Sequence, residues 1–232
     1  MAEPNPPTPV VATTPTPTPN PSPAPTSTSV SPTTEVAKDG PASFLDEALT
    51  KAKPDADGAK PAEGAAKTDA RHAELGFDAV FWGTDYAYNA GPFLSPAMFR
   101  EFILPYAKAR TESVHSLGLP VIQHACGNNW ALLDFFVEIG FECYQSIQNS
   151  AGMDLKLLKK RYGRKIALWG GVGVEKLVAG TPEDVAADVR YALRYGKPGG
   201  GYIFGASHSI AVGTKYDNYM RMLEEFRRLR EY

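Results

Sequence analysis

The feature that most constrains this chain is an alternation, beginning near Arg71, of short apolar runs with segments of helical periodicity. Such apolar runs are typical of strands buried in a parallel sheet, and the amphipathic segments are typical of helices that cover it. The predicted strands are residues 78–82, 120–124, 142–147, 165–169 and 201–206. The pattern predicts an α/β fold of about five β-α units, compatible with a doubly wound sheet and with part of a (β/α)8 barrel. No Gly-x-Gly-x-x-Gly motif follows the first predicted strand, which weighs against a dinucleotide-binding sheet.

Two helix starts are marked by capping residues. Ser95 precedes Pro96, and Thr181 precedes Pro182, so in both places a hydroxyl that can cap is followed by proline at the first helical position. The apolar positions of the second helix are predicted to share one face: Val185, Val189 and Leu193. Other helices are predicted over residues 129–139, 155–162 and 216–229.

Residues 1–70 differ sharply in composition from the rest of the chain. Fourteen of the 20 prolines lie in residues 1–61, among many threonines and alanines. A segment with so few large apolar residues gains too little from burial to offset the cost of ordering its backbone. We therefore predict a disordered tail over residues 1–70, followed by a folded domain over residues 71–232.

Charge and hydropathy disfavour several classes of protein. The net charge of −2 gives no basic excess for nucleic acid. No apolar run approaches the ~18 residues that span a membrane, and the N-terminus shows no signal-peptide pattern. The two cysteines, Cys126 and Cys143, do not suggest a disulfide framework. A cytoplasmic protein with a small-molecule substrate, and with neither nucleic acid nor membrane as partner, is the expectation.

Polar side chains and glycines gather at the predicted carboxyl ends of the strands, where the active sites of parallel barrels lie. The candidates, in chain order, are Asp85, His124, Cys126, Gln148, Gly170, Gly171 and His208. Because these strand ends meet on one face of a parallel barrel, two histidines, one cysteine and one acid are expected to converge there.

His124 and Cys126 form the sharpest of these motifs. Residues two apart on a strand point to the same side, so this imidazole and this thiolate can reach one metal ion. Both groups are good zinc ligands, and Gly127 permits a close turn after the pair. The alternative interpretation is a packed cysteine beside a hydrogen-bonded histidine.

Four longer motifs follow in a fixed order: HACGNN, DLKLLKKRYGRKIALWGGV, GTPEDVAADV and GGGYIFGASHSI. As an ordered set they resemble the uroporphyrinogen decarboxylase superfamily, over about Gly76 to Phe226. That superfamily contains the decarboxylase itself and zinc-dependent, corrinoid-linked methyltransferases. The resemblance implies a (β/α)8 barrel of the TIM type, of which this chain contains the C-terminal portion.

The resemblance also implies a metal site. In the methyltransferase branch the histidine and the cysteine of His-x-Cys-Gly bind zinc, which would make His124 and Cys126 ligands here. The third ligand in that branch is a cysteine after the last strand, where this sequence has His208. Histidine can bind zinc, but the decarboxylase branch also carries a histidine near this place, without metal.

The remaining candidates have less specific roles. Asp85, the candidate catalytic acid, is expected to orient substrate or ligand, and capping of a following helix is the alternative. Gln148, Gly170 and Gly171 are expected to border the substrate. For the two glycines, tight packing between strand and helix explains the sequence equally well.

Two classes of function follow from the resemblance. The first is an enzyme that transfers a methyl group between a corrinoid on a partner protein and a thiol or tetrahydropterin, with zinc lowering the thiol pKa. Decarboxylation of uroporphyrinogen in porphyrin biosynthesis, which needs no corrinoid, is the alternative reaction. Its arginine-rich N-terminal segment and its acid for the pyrrole nitrogens have no match in residues 1–70. The second class is a non-catalytic fragment.

The number of predicted strands is too small for a closed barrel. A barrel needs eight strands and typically about 250 residues, whereas five strands are predicted here. The expectation is a truncated product or a chain that completes itself by association, because unpaired strand edges invite pairing with another chain.

Overall fold

A computed structural model describes residues 63–231 of the chain, and its centre is a five-stranded parallel sheet. The strands of this sheet are β1 (Val80–Gly83), β4 (Val121–His124), β5 (Cys143–Ile147), β6 (Ala167–Val172) and β7 (Tyr202–Ala206). A separate two-stranded hairpin consists of β2 (Ala87–Tyr88) and β3 (Gly91–Pro92). The large sheet has the order β1-β4-β5-β6-β7, which is chain order, so the predicted α/β fold is confirmed.

Helices alternate with these strands and cover one face of the sheet. They are α1 (Glu63–Glu74), α2 (Pro96–Phe102), α3 (Leu104–Ser116), α4 (Leu133–Ile139), α5 (Leu155–Tyr162), α6 (Val174–Ala179), α7 (Pro182–Gly196) and α8 (Tyr216–Leu229), with a 3-10 turn at Asn149–Ala151. None of the helices described is long and apolar enough to cross a membrane.

The boundary predicted for the tail is wrong by eight residues, because helix α1 already begins at Glu63. An ion pair holds this helix against α3. Asp69 is buried, and both of its carboxylate oxygens accept from Arg110 of α3, at 3.1 and 3.2 Å. A two-point contact of this kind fixes the orientation of the helix on its neighbour. The rest of the predicted tail, residues 1–62, lies outside the described residues.

Both predicted helix starts are confirmed. The Ser95 hydroxyl accepts from the Met98 amide at the start of α2. At the start of α7, Thr181 and Asp184 form a reciprocal capping box, in which each side chain accepts from the backbone amide of the other. The predicted apolar face of α7 is buried against the sheet and α8: Val185, Val189 and Leu193.

The two faces of the sheet differ in burial, and this difference favours a barrel over a doubly wound sheet. Val80 and Trp82 of β1 point toward the helices and are buried, whereas Phe81 between them is 52% exposed. On β7, Ile203 is likewise 44% exposed. A doubly wound sheet has helices on both faces, but here one face has no helix layer among the described residues.

The sheet is strongly curved, as in a barrel wall. Phe81 of β1 and Trp169 of β6 make an edge-to-face contact, with 6.1 Å between ring centroids. Two strands lie between them, and in a flat sheet three strand spacings amount to about 14 Å. The open face is therefore concave, and side chains from strands that are not adjacent meet on it.

The hairpin β2–β3 was not predicted. Its strands contain two residues each, too few for a periodic signal in the sequence. The hairpin supports the loop that follows β4, because the Asn128 amide donates to the Tyr88 carbonyl at 3.0 Å. A β-carbon on Gly127, which has a φ of +82°, would lie 2.5 Å from the Ala87 carbonyl oxygen.

We expect the purified chain to self-associate through its concave face. Phe81 and Ile203 are large exposed apolar side chains on this face, and exposed apolar patches in soluble proteins mark interfaces or aggregation sites. Size-exclusion chromatography with light scattering should give a mass above the 25.1 kDa of one chain. The double substitution Phe81→Gln and Ile203→Gln should reduce the association, whereas Leu157→Gln, on the helical surface, should not. A monomer at every concentration would contradict this prediction.

Candidate metal centre

Three side chains from the ends of two strands meet at the carboxyl edge of the sheet. His124 ends β4, Cys126 follows it by two residues, and His208 follows β7. One ligand atom from each of the three lies within 4.8 Å of the others. The rings of His124 and His208 are 6.2 Å apart, although β5 and β6 separate their strands. The structure thus brings the three predicted ligands together, and the curvature of the sheet makes their meeting possible.

Asp85 lies beside the cluster and binds Cys126 at two points. Its Oδ1 accepts from the Cys126 amide at 2.9 Å and from the Cys126 thiol at 3.1 Å, and it lies 3.6 Å from Nε2 of His124. The alternative role as a helix cap is wrong, because the hairpin follows Asp85 and the next helix is capped by Ser95.

Burial and the charge of Asp85 together determine the pKa of Cys126. Burial acts to raise the pKa of Asp85, but the hydrogen bonds from Cys126 and the two nearby histidines outweigh it, so the pKa lies below its ordinary value. Burial and the adjacent carboxylate of Asp85 together raise the pKa of the Cys126 thiol to about 11. Without metal, Cys126 is therefore a protonated thiol at neutral pH.

Gln145 determines how His124 presents its ring, although nothing in its sequence neighbourhood indicates this role. Its Oε1 contacts Nδ1 of His124, and an amide oxygen can only accept. Nδ1 therefore carries the proton, which leaves the lone pair of Nε2 free and directed toward Cys126, 3.5 Å from Sγ. A hydrogen bond to the second ring nitrogen is how proteins usually orient a metal-binding histidine.

A bulge in β5 lies directly after Gln145. Ser146 has a φ of +83°, unusual for a residue with a side chain, and the pairing of β5 with β6 shifts there. Ser146 is fully buried, and its hydroxyl lowers the pKa of Cys126, in opposition to the larger effects of burial and Asp85. Strained backbone of this kind concentrates at functional sites.

His208 is held by the segment that leaves β7. The Ser207 amide donates to the Val172 carbonyl at 2.7 Å, and the Ser207 hydroxyl accepts from the Val174 amide at 3.2 Å. Burial and the neighbouring His124 lower the pKa of His208 below its ordinary value. The neutral imidazole that results is the form that binds metal.

Gln148 supports the loop between His124 and the first helical turn beyond it. Its Oε1 accepts from the Gly127 amide at 2.8 Å, and its Nε2 donates to Asn89 and Ser150, both at 3.2 Å. The predicted contact of Gln148 with substrate stays a prediction, since every polar atom of this side chain already has a protein partner.

Gly170 and Gly171 are buried within β6 and do not border the cavity beside the cluster. The Tyr202 hydroxyl donates to the Gly170 carbonyl at 2.6 Å, and Nδ2 of Asn149 donates to the Gly171 carbonyl at 3.2 Å. A β-carbon on Gly171 would lie 3.2 Å from Leu155 and 3.3 Å from the Tyr202 hydroxyl. Tight packing, the alternative that the sequence left open, accounts for both glycines.

A cavity of about 460 Å³ opens on the concave face next to the cluster. His124 and His208 form its polar side, and Phe81, Trp169 and Ile210 contribute apolar walls. Apolar walls with a few convergent polar groups are typical of small-molecule sites.

The cluster has the chemistry of a zinc site. Two imidazoles and one thiol are ligand types that zinc prefers, and three protein ligands with an open fourth position are typical of catalytic zinc. One ligand atom each of His124, Cys126 and the neutral His208 lies within 4.8 Å of the other two. The residues present therefore fit zinc, provided that the ion displaces the thiol proton.

Comparison with known proteins identifies the family of the chain. The uroporphyrinogen decarboxylase (URO-D) family matches residues 70–229. The chain belongs to this family. The match begins within helix α1 and ends at the last residue of helix α8, so nearly all of the described structure is family sequence.

Individual relatives lie in two branches. The chain is 25% identical over 148 residues to the uroporphyrinogen decarboxylase of Xylella fastidiosa, which is 60% of this chain and 40% of that protein. It is 26% identical over 153 residues to the methylated-thiol–coenzyme M methyltransferase of Methanosarcina mazei, which is 62% of this chain and 39% of that protein. This chain thus spans about two fifths of the length of these curated relatives.

A solved structure of a methyltransferase from Methanosarcina mazei has the same fold. It superimposes with a TM-score of 0.59 over 72% of this chain and 48% of its own, at 22% identity.

We expect Cys126 of the metal-free chain to be alkylated slowly at neutral pH and faster as the pH rises toward its pKa of about 11. Asp85→Asn removes the negative charge next to the thiol and should lower that pKa, so alkylation at pH 8 should accelerate. The change should be partial, because burial is the larger cause. Peptide mass spectrometry separates Cys126 from the buried Cys143.

Asp154→Asn, which alters a carboxylate outside the cluster, is the matched control for this experiment. Equal alkylation rates in Asp85→Asn and in the wild-type chain would refute the role assigned to Asp85.

Proposed function

We propose that this protein takes part in methyl transfer between a corrinoid carried by a partner protein and a thiol or tetrahydropterin, with zinc held by His124, Cys126 and His208. The observation that carries the proposal is the meeting of these three ligand atoms within 4.8 Å beside an apolar cavity. The similarity to a methylated-thiol–coenzyme M methyltransferase supports it.

Zinc bound at this site would lower the pKa of an incoming thiol, so that the thiolate forms at neutral pH. The residues of the chain have supporting roles. Gln145 holds His124 with Nε2 toward the cluster. Asp85, which is ionised at neutral pH, fixes the backbone and side chain of Cys126.

The proposed transfer needs no reactant besides the thiol and the methylated corrinoid. The thiol gives its proton to solvent, and its sulfur forms the new bond to the methyl carbon. The bond between that carbon and the cobalt of the corrinoid breaks, and the electron pair stays on cobalt. A corrinoid is large and planar, so it would have to reach the cluster from the concave face next to His124 and His208.

Decarboxylation of a tetrapyrrole is less well supported by the described residues. The substrate carries several carboxylates, and cations are needed to bind them. None of the described residues that line the cavity is an arginine or a lysine. The similarity to a uroporphyrinogen decarboxylase, at 25% identity, is comparable to that of the methyltransferase and does not decide between them.

Zinc binding is expected to depend on the cluster. The wild-type chain should bind about one zinc ion, measured by mass spectrometry of the metal after dialysis. Cys126→Ser should lose most of the affinity because the thiolate is the softest ligand, whereas Cys143→Ser, at the other cysteine, should retain it. His208→Cys should also retain zinc, since a thiolate replaces an imidazole. Equal zinc content in wild type and Cys126→Ser would contradict the site.

Gln145→Ala should weaken zinc binding by roughly 10- to 100-fold, the usual effect of removing the partner of a metal-binding histidine. The zinc affinity is measured by competition with a chelating dye. Gln148→Ala, which removes a neighbouring amide that contacts the loop rather than a ligand, is the matched control and should have a smaller effect. An equal loss in both variants would indicate a general disturbance of the loop.

Methyl transfer is tested with methylcobalamin as donor and a small thiol as acceptor, added to the zinc-loaded chain. The absorbance of cobalamin should change as the methyl group leaves, and the methylated thiol should accumulate in equal amount. The rate should fall to background in Cys126→Ser. The same transfer rate in the wild-type chain and in a variant that lacks the side chains of all three ligands would overturn the proposal.

A further inference from the structure

A groove of about 540 Å³ lies at the amino edge of the sheet, on the side opposite to the metal centre. It is formed by helix α5, the end of helix α7 and the two loops that lead into β6 and β7. Five cationic side chains line this basic groove: Lys156, Lys159, Lys160, Arg164 and Arg194. No carboxylate is among the described residues that line it.

The sequence concentrates positive charge here although the whole chain carries a net charge of −2. Residues 155–174 contain six lysines and arginines and no acid, and residues 189–216 contain no acid either. The fold packs α5 and its loop, from the first stretch, against the end of α7 and its loop, from the second. Two acid-free segments thus converge on one groove.

The five cations have no carboxylate partner among the residues that the structure describes. Lys156 lies over the ring of Tyr195 at 5.0 Å, Arg194 lies over the same ring at 5.4 Å, and Lys159 donates to the Gly200 carbonyl. Other cations of the described structure do have carboxylate partners. The buried Glu225, for example, forms ion pairs with three arginines of α7 and α8. Uncompensated positive charge in a concave site attracts anions.

The helix dipole explains only part of this pattern. Lys159 and Lys160 lie in the last turn of α5, where positive charge is favourable. Lys156, however, lies in the first turn of the same helix, directly after Leu155, where a cation is unfavourable. Arg164 lies beyond the helix. The helix dipole therefore does not explain why Lys156 and Arg164 line the same groove as the other cations.

We propose that the basic groove binds a phosphate chain, either inorganic polyphosphate or the phosphates of a nucleotide. A groove lined by five cations can contact several adjacent phosphates at once, and lysine and arginine are the usual phosphate partners. Gly199 at its lip has open space where a side chain would point, which allows the ligand to approach the backbone.

The test uses isothermal titration of the full chain at fixed salt. The ligands are tripolyphosphate, ATP, adenosine and polyglutamate of matched charge. Tripolyphosphate should bind with one site per chain, and adenosine should not bind. Lys160→Gln combined with Arg164→Gln should reduce the affinity by about tenfold or more, because two charge-assisted contacts are removed. Lys108→Gln combined with Arg227→Gln removes the same charge from exposed positions elsewhere and should leave the affinity nearly unchanged.

The outcomes separate the possible ligands. Equal affinity for ATP and tripolyphosphate supports a phosphate chain alone, and tighter binding of ATP supports a nucleotide. Tighter binding of polyglutamate of matched charge, or equal losses in the two double variants, overturns the proposal in favour of unspecific attraction. Circular dichroism and zinc content, measured on the same variants, should be unchanged, which keeps this result independent of the metal centre.

Discussion

The curvature of the five-stranded sheet is the constraint on which the rest of the structure depends. Flat, the sheet would hold the strands of His124 and His208 well apart, yet their rings lie 6.2 Å from each other. The contact between Phe81 and Trp169 lies on the same concave face and closes it further. The apolar packing of the sheet and the metal centre are therefore not separate features, since the bend that joins the two aromatic rings also joins the ligands.

The sequence predicts the parts of the site that follow from strand direction. Asp85, His124, Cys126 and His208 were placed together because each follows the carboxyl end of a parallel strand, and the structure brings them together. Gln145 was missed for a physical reason: it lies inside a strand whose residues are all buried, so nothing in its neighbourhood distinguishes a polar partner from a packed one. The bulge at Ser146 depends on pairing with β6, which no local pattern reveals.

The two edges of the sheet have opposite chemistry. At the carboxyl edge, one carboxylate lies beside two imidazoles and accepts a hydrogen bond from one thiol. At the amino edge, cations from α5 and α7 are gathered without carboxylates among the described residues. The first edge contains the His-x-Cys motif of residues 124–126, whereas the charge of the second edge follows from the distribution of acids along this sequence.

The order of the strands in the sheet has a consequence for how the chain folds. Neighbouring strands of the large sheet also follow one another along the chain. The segment between two paired strands is therefore a few tens of residues long at most. Connections of this length cost less chain entropy than longer ones would, because the cost of closing a loop rises with its length. Each β-α unit can therefore add to its predecessor as the chain leaves the ribosome, and the sheet can grow from one edge without waiting for a distant segment.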